Sequence, residues 1–288
     1  MSPPGEKLNS EKTDYRTAVA PDFARRYLDT YFTGIDADEK VICTFLAEEY
    51  AKLRGSPDMI DIGCGPCIQH VLSSVPYVKS IQLADYLEDN LDELRKWAQE
   101  QGGAFDWNHF TEFILQLETA DSSSVEITAR ESALRGKITH IRQANVLNES
   151  VLGEDRQFGA VGFFYCAEAA TRTKPEWRKA VSNVARLVEP GGRMFMASCR
   201  NTDFYTVEIP GLPEEKIPTA NVDENDFKSL LPDIGFSLND SRIEVVNVGM
   251  GADHGVEDII LLSLLKKGEP INTEVAAHSA HDIVNRTS

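Results

Sequence analysis

Residues 58–66 read Asp58-Met-Ile-Asp-Ile-Gly-Cys-Gly-Pro66, and after a segment of helical character residues 80–85 read Ser80-Ile-Gln-Leu-Ala-Asp85. A short apolar run, a glycine turn, a helix, a second apolar run and a terminal acid predict the first half of a nucleotide-binding unit. Gly63 and Gly65 let the backbone turn sharply and approach a ligand where a Cβ would intrude. The helix that follows aims its free N–H groups at whatever occupies the turn. Asp85 ends the second strand, where a carboxylate can accept hydrogen bonds from both hydroxyls of a ribose.

A dinucleotide site usually has Gly-x-Gly-x-x-Gly, the third glycine allowing close helix–strand packing. Here that place is taken by Ile68, and Pro66 follows the second glycine. The loop opens with Asp61, and an Asp-x-Gly-x-Gly turn with an acid-ended second strand resembles the S-adenosylmethionine site of the Rossmann-like methyltransferases. The same turn contains Cys64-Gly-Pro-Cys67, the active-site tetrapeptide of thioredoxin-like oxidoreductases. That motif is normally preceded by Trp rather than Gly, and such a domain would leave most of the chain unexplained. Cys64 therefore reads as a small residue in a tight turn and Cys67 as part of the first helical turn.

A chain of 288 residues is long enough for one large domain or two small ones, and 42% hydrophobic with 26% charged residues is ordinary for a soluble globular protein. No apolar run approaches a membrane span, and Met1-Ser-Pro-Pro-Gly-Glu6 lacks the apolar core of a signal peptide, so a cytoplasmic location without membrane contact is expected. Five cysteines do not make a secreted disulfide framework, and no His/Cys cluster has zinc spacing, so no metal is expected. The formal net charge of −17 and the lack of a basic cluster argue against nucleic acid.

Residues 1–20 are polar and read as a flexible tail. From Pro21, Phe23, Tyr27, Tyr31 and Phe32 recur at helical spacing, and a second amphipathic helix runs from Ala37 to about Arg54, ending at Gly55-Ser-Pro57. Helices follow after Asp85, after Trp107 and from Val125 to Gly136, and Ile138 to Gln143 is a strand. Phe158 to Tyr165 reads as a buried central strand. Lys174 to Val188 is helical, Glu189-Pro-Gly-Gly192 breaks it, and Arg193 to Cys199 is a strand. A loop with Pro210, Pro213 and Pro218 and a short helix near Asp223 to Leu231 precede strands at Arg242 to Val248 and Asp258 to Leu265. Residues 268–288 read as a flexible tail. Alternating strands and helices predict one parallel-rich sheet covered on both faces, with a ligand crevice at the carboxyl ends of the strands.

The order of these motifs resembles the small-molecule N-methyltransferases that include the nicotinamide, phenylethanolamine and indolethylamine (thioether) enzymes. The resemblance is carried by Arg26-Tyr-Leu-x-x-Tyr31, Ile60-Asp-Ile-Gly-x-Gly-Pro66, Asp85-Tyr-x-x-x-Asn-Leu-x-Glu-Leu-x-x-Trp97, Ala104-Phe-Asp-Trp107, Glu168 with Cys166 and Ala169, and Leu187-Val-Glu-Pro-Gly-Gly192. It implies an α/β fold of the Rossmann-like class I methyltransferase type: a mostly parallel seven-stranded sheet with helices on both faces. A single domain at 21–267, with an N-terminal helical lid at 21–54, is expected. The implied cofactor is S-adenosyl-L-methionine, giving S-adenosyl-L-homocysteine, and the implied partner is a small-molecule methyl acceptor taken by a monomer.

The resemblance also implies residue roles. Gly63, Cys64 and Gly65 would follow the methionine part of the cofactor, with Cys166 nearby. Asp85 would hold the ribose, Tyr86 would pack beside the adenine, and Asn90 would fix that end. Tyr27, Tyr15 and Phe32 would close from the lid. Asn145-Val146 stands where relatives have Asp-Val near the adenine. Glu168 matches the acid that contacts the amine, and it is the candidate proton acceptor. Tyr165 and Tyr205 are candidate aromatic walls, with Tyr27, Ser198, Asp203 and His254 as further substrate-side residues. Ser198 replaces the substrate-contacting Asp of the nicotinamide enzyme, which argues against nicotinamide as the acceptor. An amine N-methyltransferase of specialised metabolism is the leading expectation. Methylation of oxygen, sulfur or carbon on the same scaffold, or a non-catalytic cofactor-binding protein, are the alternatives.

Overall fold

Along Arg193 to Cys199 the side chains alternate: Met194 and Met196 enter one apolar layer, Phe195 and Ala197 the other. That two-residue period, apolar on both faces, marks a strand buried between two layers of helices. The computed structural model describes residues 22–118, 122–211, 215–249 and 256–268. Tyr15, His254 and both expected tails, apart from Gly268, lie outside the described residues.

The main sheet has seven strands: β1 (Asp58–Ile62), β2 (Ser80–Asp85), β3 (Ile138–Gln143), β4 (Phe158–Phe164), β5 (Val188–Arg200), β8 (Phe236–Asn247) and β9 (Asp258–Lys266). Their order is β3-β2-β1-β4-β5-β9-β8. The first five are parallel where they pair, and β9 joins β5 antiparallel, as β8 joins β9. Parallel pairing therefore brings the ends of β1, β2, β4 and β5 to one edge. Helices α2 (Ala37–Tyr50), α3 (Gln69–Leu72), α4 (Glu88–Ala98), α5 (Asn108–Glu118) and α6 (Ser124–Lys137) supply one apolar layer. The other is built on α8 (Lys174–Ala185) and α9 (Glu224–Leu230). Here Trp177 meets Phe227 edge-on at 4.8 Å. Both helices begin with reciprocal capping boxes, Thr173 with Glu176 and Asp223 with Asp226.

Three expectations need correction. The proline-containing stretch expected to be a loop forms a second small sheet, β6 (Phe204–Val207) paired antiparallel with β7 (Glu215–Pro218). Pro218 is tolerated because it sits at the last position of a two-stranded ribbon. The helix expected to reach Val188 ends at Ala185, and Glu189 to Gly192 lies within β5: Val188 pairs with Phe158 and Arg193 with Ala160, so the Pro-Gly-Gly segment bulges out of the strand. Tyr165 is not the last strand residue. It adopts φ +53 and precedes the short helix α7 (Cys166–Ala169).

Gly162 on β4 makes room for a buried acid. A Cβ there would lie 2.6 Å from Asp61 Oδ1 and 2.9 Å from the Phe164 ring. Gly162→Ala is expected to destabilise the protein by about 1–3 kcal/mol through overpacking. Thermal melting should show a fall of roughly 2–10 °C, and an unchanged midpoint would mean that Asp61 has another place to go.

Candidate active site

The turn after β1 is tied down from three directions. Gly63 (φ +65) and Cys64 both donate their N–H groups to the Ala84 carbonyl, at 2.7 and 3.2 Å. Gly65 (φ +61) donates to Asp85 Oδ2 at 2.9 Å. Cys166, at the start of α7, packs so closely on Gly63 that a Cβ there would lie 2.2 Å from its sulfur. The left-handed backbone and the missing side chain are both required at Gly63.

Asp85 Oδ1 accepts from the Leu87 N–H and from Asn90 Nδ2, each at 2.9 Å. Burial pushes its carboxyl above the ordinary value, against the pull of the N–H groups around it. Asn90 Oδ1 is buried with no hydrogen-bond partner, and Asp85 Oδ2 keeps a lone pair beyond its bond to Gly65. Two adjacent acceptors awaiting donors fit the vicinal hydroxyls of a ribose. Tyr86, next in sequence to Asp85, is exposed.

On the far side of the turn, Glu168 is only 3% exposed. Its Oε1 accepts from the Cys199 N–H at 2.7 Å, while Oε2 has no partner. Ser198 gives its hydroxyl to the Cys199 carbonyl at 3.4 Å. Burial raises the Glu168 carboxyl to about 7, despite the N–H groups of Glu168 and Cys199 and the nearby Ser198 hydroxyl. Tyr205, from β6, and the thiols of Cys166 and Cys199 all feel its charge. Tyr165 donates its hydroxyl to Asp38 Oδ2 of α2 at 3.0 Å. Its positive φ, uncommon for a bulky residue, is held by a bond from its N–H to the Ala197 carbonyl at 2.8 Å.

A roof lies over this edge. Helix α1 (Phe23–Tyr31) is anchored by the Ala24 N–H to Asp89 Oδ2, at 2.8 Å, and by Arg25 Nη1 to the Gly103 carbonyl, at 2.6 Å. Tyr27 stacks between Phe23 and Tyr31, with centroids at 6.2 and 5.1 Å. Burial, then Cys67 and Glu39, push its phenol up. The Tyr31 oxygen accepts from the Glu208 N–H at 2.8 Å, joining α1 to the β6–β7 ribbon. Below the roof Glu39 of α2 binds His70 Nε2 at 3.0 Å and Gln69 Nε2 at 3.3 Å. Burial disfavours the charged imidazole, but Glu39, Asp61 and Asp38 outweigh it and raise His70. Asp61, wholly buried, is raised to about 7 by desolvation.

The structure thus brings Gly63, Cys64, Gly65, Asp85, Asn90 and Cys166 together at one end of the edge. Tyr27, Tyr165, Glu168, Ser198 and Tyr205 gather at the other. Phe32 packs against Tyr27 at 5.5 Å as well as against Trp107 and Phe110, at 5.7 and 6.0 Å. Val146 is core and its carbonyl accepts from Asn183 Nδ2 at 2.9 Å, while Asn145 Oδ1 accepts from the Leu147 N–H at 3.0 Å. Asp203 is exposed and accepts from Asn221. Cys64 and Cys67 are buried free thiols whose pKa values burial pushes up, the opposite of a redox-active pair. Sequence reasoning missed Asp38, Glu39 and His70. No group of three or more His, Cys, Asp or Glu residues is arranged for a metal among the described residues.

This strand order, with the glycine turn against an acid-ended β2, defines an S-adenosylmethionine-dependent methyltransferase. The fold is similar to that of a SAM-dependent methyltransferase from Methanosarcina mazei (TM-score 0.51, 14% identity, covering 76% of this chain and 97% of that one). The family model described as NNMT/PNMT/TEMT matches residues 9–263, and the chain belongs to that family. Among its relatives are phenylethanolamine N-methyltransferase of Rattus norvegicus, 27% identical over 70% of this chain and 68% of the relative. Nicotinamide N-methyltransferase of Sus scrofa is 31% identical over 52% of this chain and 56% of the relative.

Asp85→Asn turns one acceptor oxygen into a donor facing the Gly65 N–H or the open position. Calorimetry with S-adenosylhomocysteine is expected to show roughly 10–100-fold weaker binding, the worth of one or two hydrogen bonds to a charged group. Affinity within twofold of the unsubstituted protein would remove Asp85 from the cofactor site.

Proposed function

We propose that the protein transfers a methyl group from S-adenosylmethionine to the nitrogen of a small amine or N-heterocycle, with Glu168 as the group that orients the nitrogen and takes its proton. The observation that carries this reading is the unpartnered Oε2 of a carboxyl buried at the end of β4 and raised to about 7. When bound, S-adenosylmethionine supplies an electrophilic methyl on a sulfonium. The protein has to hold the acceptor in line and keep water out, tasks that suit the α1 roof and the tyrosines beneath it. An attacking nitrogen must arrive neutral, and Glu168 Oε2 is the acceptor for the proton it sheds, directly or through water. The Cys199 N–H holds Oε1 and so fixes which oxygen is free.

Residues 21–267 form the methyltransferase domain in this reading, with 21–54 as its lid. The protein acts on a small molecule rather than on nucleic acid or a membrane, as a cytoplasmic monomer. The formal net charge of −17 supports the first part. No helix among the described residues is long and apolar enough to cross a membrane.

A proton acceptor works only when ionised. With an acceptor that does not titrate near neutrality, kcat/KM is expected to rise with pH through about 7 as Glu168 loses its proton. Glu168→Gln should remove that limb and lower turnover by roughly 100–10,000-fold, leaving S-adenosylhomocysteine affinity unchanged. A limb that persists in the variant would assign the ionisation to Asp61, and undiminished turnover would dismiss Glu168. Stability runs the other way. The folded protein keeps a proton that the unfolded chain loses above 4.5, so this carboxyl's contribution falls as pH rises from 4.5 to about 7.

A further inference from the structure

Two carboxylates meet the same strand end: the Tyr165 hydroxyl donates to Asp38 Oδ2 of α2, and the Cys199 N–H donates to Glu168 Oε1 of α7. Burial pushes the Cys199 thiol up, and Glu168 and Asp38 push it further. Acids in the first turn of a helix ordinarily answer its dipole and point to water. Asp36 and Ala37 at that helix start are exposed, but Asp38 is turned inward, half-buried, with its Oδ2 on the Tyr165 hydroxyl. Burial, with Glu39 and Asp36 close by, raises its carboxyl. Among the described residues no Lys, Arg or His forms an ion pair with Asp38 or with Glu168. Glu39, next in sequence, pairs directly with His70 at 3.0 Å, an imidazole that also feels Asp38. Glu168 Oε2 is buried without any partner. A carboxylate held out of water without an ion-pair partner is costly unless a ligand provides one. Tyr165 lies between them, with its ring available to a cation and its hydroxyl already on Asp38.

We propose that Asp38 is a second acceptor-binding carboxylate, and that the acceptor of this enzyme is a diamine: one nitrogen is methylated beside Glu168, and the other is held as an ammonium by Asp38 and the Tyr165 ring. The inference rests on the N-methylation reading and adds the substrate class to it. A second ammonium converts the unmatched pair of acids into two charge-assisted contacts. It also excludes monoamines by leaving Asp38 desolvated and unpaired.

The test is calorimetry on the full chain saturated with S-adenosylhomocysteine, so that acceptor binding is read without transfer. The probes are phenethylamine and the same ring carrying a second aminomethyl group para to the side chain. The diamine is expected to bind at least tenfold more tightly. Asp38→Asn should bring the ratio of the two affinities to about one, and Asp38→Glu should restore much of it, with thermal melting confirming that each variant is folded. Equal affinities in the unsubstituted protein, or a preference that survives Asp38→Asn, would overturn the proposal. Methylation assays separate the two readings: amines methylated without diamine preference sink this inference alone. A preference for the diamine without transfer to nitrogen leaves Asp38 in place and sinks the reaction proposed for Glu168.

Discussion

The Asp85 carboxylate is the knot on which the site depends. Its two oxygens take the N–H of Gly65, the N–H of Leu87 and the amide of Asn90, so the β1 turn, the end of β2 and the start of α4 share one anchor. An ionised acceptor bound to several donors is stronger than the same number of neutral bonds, and it fixes direction as well as distance. With the turn fixed, Gly63 can lie against Cys166, which in turn sets where α7 begins and where Glu168 projects. The cofactor end and the acceptor end of the crevice are thus not independent: a single glycine–thiol contact joins them.

Much of this was legible before any coordinates. Strands β1, β2, β4 and β9 are short apolar runs because both their faces are covered, and such runs announce themselves. The glycine turn and Asp85 were legible for the same reason that they work: few residue types permit the backbone path or the hydrogen bonds. The β6–β7 ribbon was hidden because its prolines look like loop, and only pairing across the ribbon shows that Pro218 needs no donor of its own. Asp38 and Glu39 were hidden more thoroughly. In sequence they are two acids at a helix start, the most ordinary place for them. Their partners, Tyr165 and His70, come from β4's end and α3 and are supplied only by tertiary structure. Phe32 is a mixed case: its spacing put it with the roof helix, where it meets Tyr27, and only tertiary structure shows that it also packs on Trp107 and Phe110.

Within the site the acids fall into distinct environments. Asp85 is surrounded by donors, Glu39 by a histidine and an amide, Glu168 by two N–H groups, a hydroxyl and apolar burial, and Asp38 by a phenol and the Glu39 N–H. Neighbours, rather than residue type, set what each can do: an acid encircled by N–H groups grips neutral hydroxyls, whereas one short of donors is left for a proton or a cation.

The bond between Tyr31 and Glu208 closes a loop of 177 residues. Tyr31 also donates its hydroxyl to the Glu208 carbonyl at 3.3 Å, so one residue at each side holds together segments whose closure carries a high entropy cost. Such a contact forms late during folding and is among the first to open when the native protein breathes. Parting α1 from the ribbon would therefore require the Tyr31 phenol to release both the N–H and the carbonyl of Glu208.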